Sequence, residues 1–149
     1  MNVSNAVLIR APLQRIYELA ADVERWPALL PHYRWVRVLE RRGDRRVVEM
    51  ACWRDVVPIR WRAVLILRPA IPRLEFRHVA GVTRGMDVSW TFAAGADGVR
   101  VTIQHDLELR WPLVGRAVGD LIIGPQFIGN VAGKTLRRIK ELAESPRVP

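Results

Sequence analysis

Val99-Arg100-Val101-Thr102-Ile103-Gln104-His105-Asp106-Leu107-Glu108-Leu109 reads as one extended strand. Val101, Ile103, His105, Leu107 and Leu109 share one face of it; Arg100, Thr102, Gln104, Asp106 and Glu108 share the other. A strand patterned in this way belongs to an antiparallel sheet with one packed face and one wet face. Directly after it the period changes. From Pro112 to Glu144 apolar residues return at helical spacing, first as Val114, Ala117, Val118 and Leu121, later as Leu136, Ile139 and Leu142. Such a helix would run on the order of 50 Å, with a kink or break expected at Gly124-Pro125.

Upstream of this junction the alternation recurs. Met86 to Ala93 sets Met86, Val88, Trp90 and Phe92 against Asp87, Ser89 and Thr91. Arg73 to Val79 sets Leu74, Phe76 and His78 against Arg73, Glu75 and Arg77, and Ile59 to Leu67 sets Trp61, Ala63, Leu65 and Leu67 against Arg60, Arg62, Val64 and Ile66. Tyr33–Arg41 and Arg46–Arg54 meet at Gly43-Asp44, a hairpin signal. Asn5–Arg10 is a short first strand. Pro12 then opens a helix, at a position where its missing N–H costs nothing, and Leu13, Ile16, Tyr17 and Ala20 form its packing face. Trp26-Pro27 and Pro31 bracket a second short helical or turn segment, Ala28 to Leu30. The order is strand, two short helices, six strands, long helix. It predicts an α+β fold: a curved seven-stranded antiparallel sheet wrapped around a C-terminal helix, in a single domain over residues 1–149.

The chain has 149 residues, of which 50% are hydrophobic and 26% charged, enough apolar chain for one core and too much for a disordered protein. One cysteine excludes a disulfide framework and any multi-cysteine zinc site. That residue, Cys52, has no basic or histidine neighbour in sequence to activate it. The three histidines lack acidic residues at ligand spacing, so no metal is expected. No phosphate loop, dinucleotide fingerprint or Gly-x-Ser-x-Gly turn is present, and no cofactor is expected. The start of the chain carries only a four-residue apolar run before Arg10, and no stretch approaches ~18 apolar residues. A cytoplasmic location is the expectation. The net charge of +9 is spread from Arg10 to Arg147 without a nucleic-acid-binding motif. That pattern argues against nucleic acid as a partner and leaves transient contact with an anionic membrane surface open.

One helix does not fill the concave face of a sheet that bends around it. A mostly apolar cavity of about 300–1,000 Å³ is therefore expected, with Ala63 and Gly129 leaving space. Its lining would be Trp61, Leu65, Phe76, His78, Trp90, Ile103 and His105 from the strands, and Phe127 from the helix. The apolar Trp111-Pro112-Leu113-Val114, followed by Gly115, Gly119, Gly124 and Pro125 and facing the loop Gly81–Gly85, is a candidate gate. His78 and His105 have the inward parity of their strands. Each reads either as a general acid/base or as a hydrogen-bonded core histidine. His32 reads as a loop residue. Tyr33 either donates its phenol to a ligand carbonyl or serves as wall, and Trp26 either anchors the turn after the first helix or touches ligand.

The opening strand with Ala11-Pro12, the segment Ala21-Asp22-Val23-Glu24-Arg25-Trp26-Pro27, Tyr33, Ser89-Trp90-Thr91-Phe92 and Leu136-Arg137-Arg138-Ile139-Lys140 together resemble the START-like, helix-grip superfamily. That superfamily includes the polyketide cyclase/aromatases and the quinone-binding Coq10-type proteins, and the resemblance runs from about Val7 to Ala143. It implies a deep pocket under the long helix for a bulky hydrophobic or aromatic small molecule. In the cyclases such a pocket folds a poly-β-ketone chain and assists aldol closure and dehydration. Trp26, Tyr33, Trp61 and Trp90 match pocket aromatics of that group, with His78 and Tyr33 as the polar pair for catalysis. By ungapped alignment from Trp61, the pocket arginine of the tetracenomycin-type cyclases falls on Leu65 and a second on His78, so a permanent cation is lost. A non-catalytic carrier or chaperone for a lipid or isoprenoid quinone is the alternative.

Overall fold

A computed structural model describes residues 2–54, 56–107 and 125–146. Strand β1 (Asn2–Ile9) leads through Pro12 into helix α1 (Leu13–Ala21). A 3-10 turn (Val23–Arg25) and the short helix α2 (Trp26–Leu29) follow. Six strands come next: β2 (Tyr33–Arg42), β3 (Arg45–Arg54), β4 (Val57–Arg68), β5 (Arg73–Gly81), β6 (Met86–Gly95) and β7 (Gly98–Leu107). Helix α3 (Pro125–Glu144) closes the described chain, with Pro125 as its first residue. The remainder of the expected long helix, 112–124, and with it the candidate gate from Trp111 onward, lies outside the described residues, as do 108 and 109 of the expected strand.

All seven strands form one antiparallel sheet in the order β1-β7-β6-β5-β4-β3-β2, so β2 to β7 is a meander and β1 joins its far edge. The α+β helix-grip architecture expected from the alternation is the one observed. In β4 the burial follows the period of two: Ile59, Trp61, Ala63 and Leu65 are buried while Arg60 and Arg62 are exposed. The polar face is laced by exposed ion pairs such as Arg62–Glu49, Arg68–Glu75 and Arg73–Glu75. Each such pair contributes about 0–1 kcal/mol, so stability rests on the other face. There Ile9, Leu65, Leu74 and Val101 from the sheet meet Ile16 of α1, Leu30 and Ile139 of α3, all essentially inaccessible to water. Burying a side chain of this size contributes roughly 1.5–3 kcal/mol.

Helix α3 rests on β1 and α1 and is held at both. The Lys140 ammonium donates to Leu8 O (2.7 Å), and Arg138 Nε donates to Leu29 O (3.0 Å). At its C-terminus, Arg15 Nη2 donates to the carbonyls of Leu142 (2.9 Å) and Ser145 (2.8 Å). A cation there both satisfies orphan acceptors and opposes the negative end of the helix dipole.

Candidate functional site

The site is built at the end of the sheet where β4 and β5 meet their turns. Gly81 has φ +97°, and a Cβ there would stand 2.6 Å from Arg60 O and 3.0 Å from Trp61 Cα. Only glycine lets β5 come this close to the backbone under Trp61. One residue earlier the β4–β5 register slips: Arg62 pairs with Ala80 but Ala63 pairs with His78. Val79 is thereby bulged outward, and His78 keeps its side chain turned into the protein. The loop after Gly81 folds back through Gly85 N–H to His78 O (3.0 Å), which brings the buried Thr83 inward.

His78 is consequently held on two sides. Its ring stacks on the Trp61 indole at 5.5 Å between centroids and 14° from parallel, and Nδ1 lies 2.6 Å from Thr83 Oγ1. Burial, with His105 nearby as a second cause, pulls its pKa down to about 3, so the imidazole is neutral at physiological pH. His105 is half-buried as a residue, yet its Nδ1 is fully enclosed without a hydrogen-bond partner among the described residues. Burial lowers its pKa to about 4.

Five aromatic rings pack around this pair. Trp26, the first residue of α2, contacts Tyr33 (5.1 Å), Trp90 (5.8 Å) and Phe76 (6.1 Å), and Tyr33 contacts Trp61 (6.2 Å). Between these rings and α3 lies a cavity of about 70 Å³. The aromatic wall explains why it falls well below the expected 300–1,000 Å³. Ala63 is buried elsewhere in the core, and Gly129 turns its carbonyl toward Asn5 Nδ2 (3.5 Å), so neither opens the space. The small wall residue is Ala132 of α3, joined by Thr135, while Met50 and Met86 contribute flexible side chains.

Of the residues singled out from the sequence, Trp26, Tyr33, Trp61, Phe76, His78, Trp90, Ile103 and His105 converge on this cavity. Leu65 does not line it; it lies fully buried beside Phe76 in the β4–β5 pairing. Phe127 falls within α3, but its side chain is outside the described set. Met50, Thr83, Met86, Val88, Ile128, Ala132 and Thr135 were not foreseen as lining. For Met86 and Val88 the alternation carried the signal. For Thr83, which sits in a Gly-flanked loop, nothing in the pattern did.

The cavity is apolar with a few unanswered polar atoms. The indole N–H groups of Trp26 and Trp61 are buried and have no acceptor among the described residues. Leaving such a donor unpaired costs roughly 1–3 kcal/mol. The Tyr33 phenol is buried and its pKa is raised by burial, then by Cys52 beside it, so it stays protonated. Cys52, pushed up to about 12 mainly by burial, is an inert thiol. At the rim, Thr135 Oγ1 donates to Val131 O (2.8 Å), so the 2.9 Å contact with His32 Nε2 requires the imidazole to be the donor. His32, in the turn before β2, is thus tied to α3. Its own pKa is lowered to about 4 by burial and by Lys134.

A curved antiparallel sheet gripping a helix over an aromatic cavity defines the helix-grip class. The chain belongs to the family described as polyketide cyclase/dehydrase and lipid transport, which it matches over residues 9–126. It is 29% identical over 101 residues to a candidate polyketide cyclase of Streptomyces halstedii, covering 66% of this chain and 93% of that protein. It is 35% identical over 107 residues to the actinorhodin polyketide synthase bifunctional cyclase/dehydratase of Streptomyces coelicolor; 70% of this chain is covered, but only 34% of that longer protein. The fold matches that of the Zhui aromatase/cyclase from Streptomyces sp. R1128 with a TM-score of 0.85 at 18% identity, over 97% of this chain and 93% of that one.

Proposed function

We propose that the chain is a single cytoplasmic ligand-binding domain that takes a bulky aromatic or polyketide-like molecule into this cavity and promotes its aldol cyclisation and dehydration. The observation that carries the reading is the set of buried, unpaired polar atoms carried by residues of an otherwise apolar lining: two indole N–H donors and one imidazole nitrogen. A pure hydrocarbon would leave all three unsatisfied, whereas a ligand bearing several carbonyl oxygens answers the donors. The names of the relatives, cyclases and cyclase/dehydratases, support the same substrate class.

In the tautomer where Nδ1–H donates to Thr83, His78 Nε2 keeps a lone pair. Because burial makes it a weak base in the empty cavity, it removes a proton from the carbon between two ketones only together with stabilisation of the enolate that forms. The resulting enolate oxygen would be met by an indole N–H, and the carbanionic carbon attacks a second ketone of the same chain. The Tyr33 phenol, kept protonated by burial, supplies the proton to the new alkoxide. For dehydration, once proton exchange with water has reset both groups, His78 removes the second proton from the same carbon and the Tyr33 phenol protonates the departing hydroxyl, so that water leaves and the double bond forms. The 70 Å³ space must enlarge for such a ligand, and Met50 and Met86 are the wall residues able to repack.

The test is binding and turnover together. With an aromatic polyketide mimic such as a hydroxynaphthoquinone, Trp26→Phe and Trp61→Phe should each weaken binding about tenfold, while a hydrocarbon of equal size is unaffected. Equal losses for both ligands would overturn the donor role. The second reading, a carrier for a lipid or quinone, is favoured by the small number of polar groups, and it wins if ligand binds but leaves unchanged.

A further inference from the structure

Outside the cavity, a second concavity of about 760 Å³ runs between α3 and the β3–β4 turn. One wall is apolar: Pro31, Trp53 and Val56. The other carries Lys134, Arg137 and Arg138 with, among the described residues, a single carboxylate, Glu141. Arg138 is already engaged by Glu141 (3.1 Å) and by Leu29 O, whereas Lys134 and Arg137 are exposed and have no acidic partner among the described residues. Three of the six exposed large apolar side chains among the described residues gather at this one turn: Trp53 is 44% exposed, Val56 86% and Val57 42%. The Arg34 guanidinium lies 4.7 Å over the Trp53 ring, adding a fourth cation at the edge of the patch.

We propose that this groove and turn form a docking surface for an anionic phospholipid bilayer. The arrangement supplies both terms that interfacial binding needs. An indole and two valines reach the depth of the headgroups, and cations at their margin meet lipid phosphates. The exposed valines favour a bilayer over an acidic protein, because salt-bridged contacts alone would not call for an apolar tip at 86% exposure. Arg84 and Arg100 are exposed arginines that do not line this groove. The surface is also mechanically close to the cavity. The Trp53 amide donates to His32 O (3.0 Å), and the His32 ring holds Thr135 of the cavity wall.

The experiment is co-sedimentation of the full chain with vesicles of phosphatidylcholine alone and of phosphatidylcholine mixed with phosphatidylglycerol. Binding should require phosphatidylglycerol and weaken with added salt. The pair Lys134→Glu with Arg137→Glu should reduce partitioning at least about tenfold, and Val56→Asp should do so severalfold, with circular dichroism unchanged. A control of equal charge change, Arg84→Glu with Arg100→Glu, should leave most of the binding intact. If the control pair costs as much as the groove pair, attraction follows net charge and the site is overturned. It is equally overturned if vesicles fail to bind while poly-glutamate does so through Lys134 and Arg137, which would make the groove a site for acidic protein segments. Because the readout uses no cavity ligand, failure here leaves the cyclase reading untouched.

Discussion

Trp61 and His78 lie face to face on adjacent strands, 5.5 Å apart and 14° from parallel. The contact exists because Gly81 lets β5 close on β4 and the bulge at Val79 turns His78 inward. A neutral imidazole stacks on an indole without a charge to bury, which agrees with a pKa lowered to about 3.

The acid limb of stability follows. His78 and His105 are neutral when folded down to about pH 3 and about pH 4. In the unfolded chain they take up protons as pH falls through their ordinary value near 6.5. The unfolded state therefore binds more protons in that window, so stability is full above about pH 6.5 and is lost as pH drops below it. Each histidine adds a slope approaching roughly 1.4 kcal/mol per pH unit. Urea denaturation at about pH 7 and about pH 5 should show the loss, and replacing both residues by Gln should remove roughly two thirds of it, the remainder belonging to His32, whose pKa is also lowered to about 4.

His78→Ala and Tyr33→Phe should each lower turnover of a polyketide mimic at least about tenfold while leaving affinity for it within a few-fold. Single-turnover and equilibrium binding measurements on the same ligand separate the two. Unchanged turnover in both variants would reduce the pair to lining and favour the carrier reading.

Ala132→Leu places three further carbons at a cavity of about 70 Å³. The variant should lose ligand binding by at least about tenfold, with its stability altered by no more than roughly 1–3 kcal/mol. Titration calorimetry beside thermal unfolding distinguishes filling from misfolding.

Two glycines at positive φ should respond differently to alanine. At Gly43 (φ +55°) nothing lies within 4 Å of a new Cβ, so the cost is the left-handed backbone alone, about 1–2 kcal/mol. At Gly81 the Cβ would also meet Arg60 O at 2.6 Å, so the loss should be clearly larger and Trp61 fluorescence should shift. Equal losses would mean that the strand yields at no cost.

The sheet was legible because a period of two is a local property: Leu74, Phe76 and His78 could be assigned inward from their own segment. Position along the inward face was not. Leu65 has the right parity, but α1 and the strands around it fill that part of the core: Tyr17 reaches Phe92 (5.2 Å) and donates to Arg73 O (3.0 Å). The size of the cavity was hidden for a related reason, since it depends on how five rings interlock across five elements. Thr83 was invisible because its role comes from a loop returning to His78 O, a contact that no periodicity encodes.

The pairing of β1 with β7 also sets an order of events during synthesis. Every other strand pair joins neighbours in the chain and can form as soon as its hairpin is made. Ile9 must wait for Val99, and Asn2 for Asp106, so the first strand leaves the ribosome with about two thirds of the chain still to come before its partner exists. Helix α3 then settles on that same strand, through Lys140 and Leu8 O. Strand β1 and helix α3 are therefore the last of the described elements to be joined. The slow, non-local step of folding coincides with closure of the helix over the cavity.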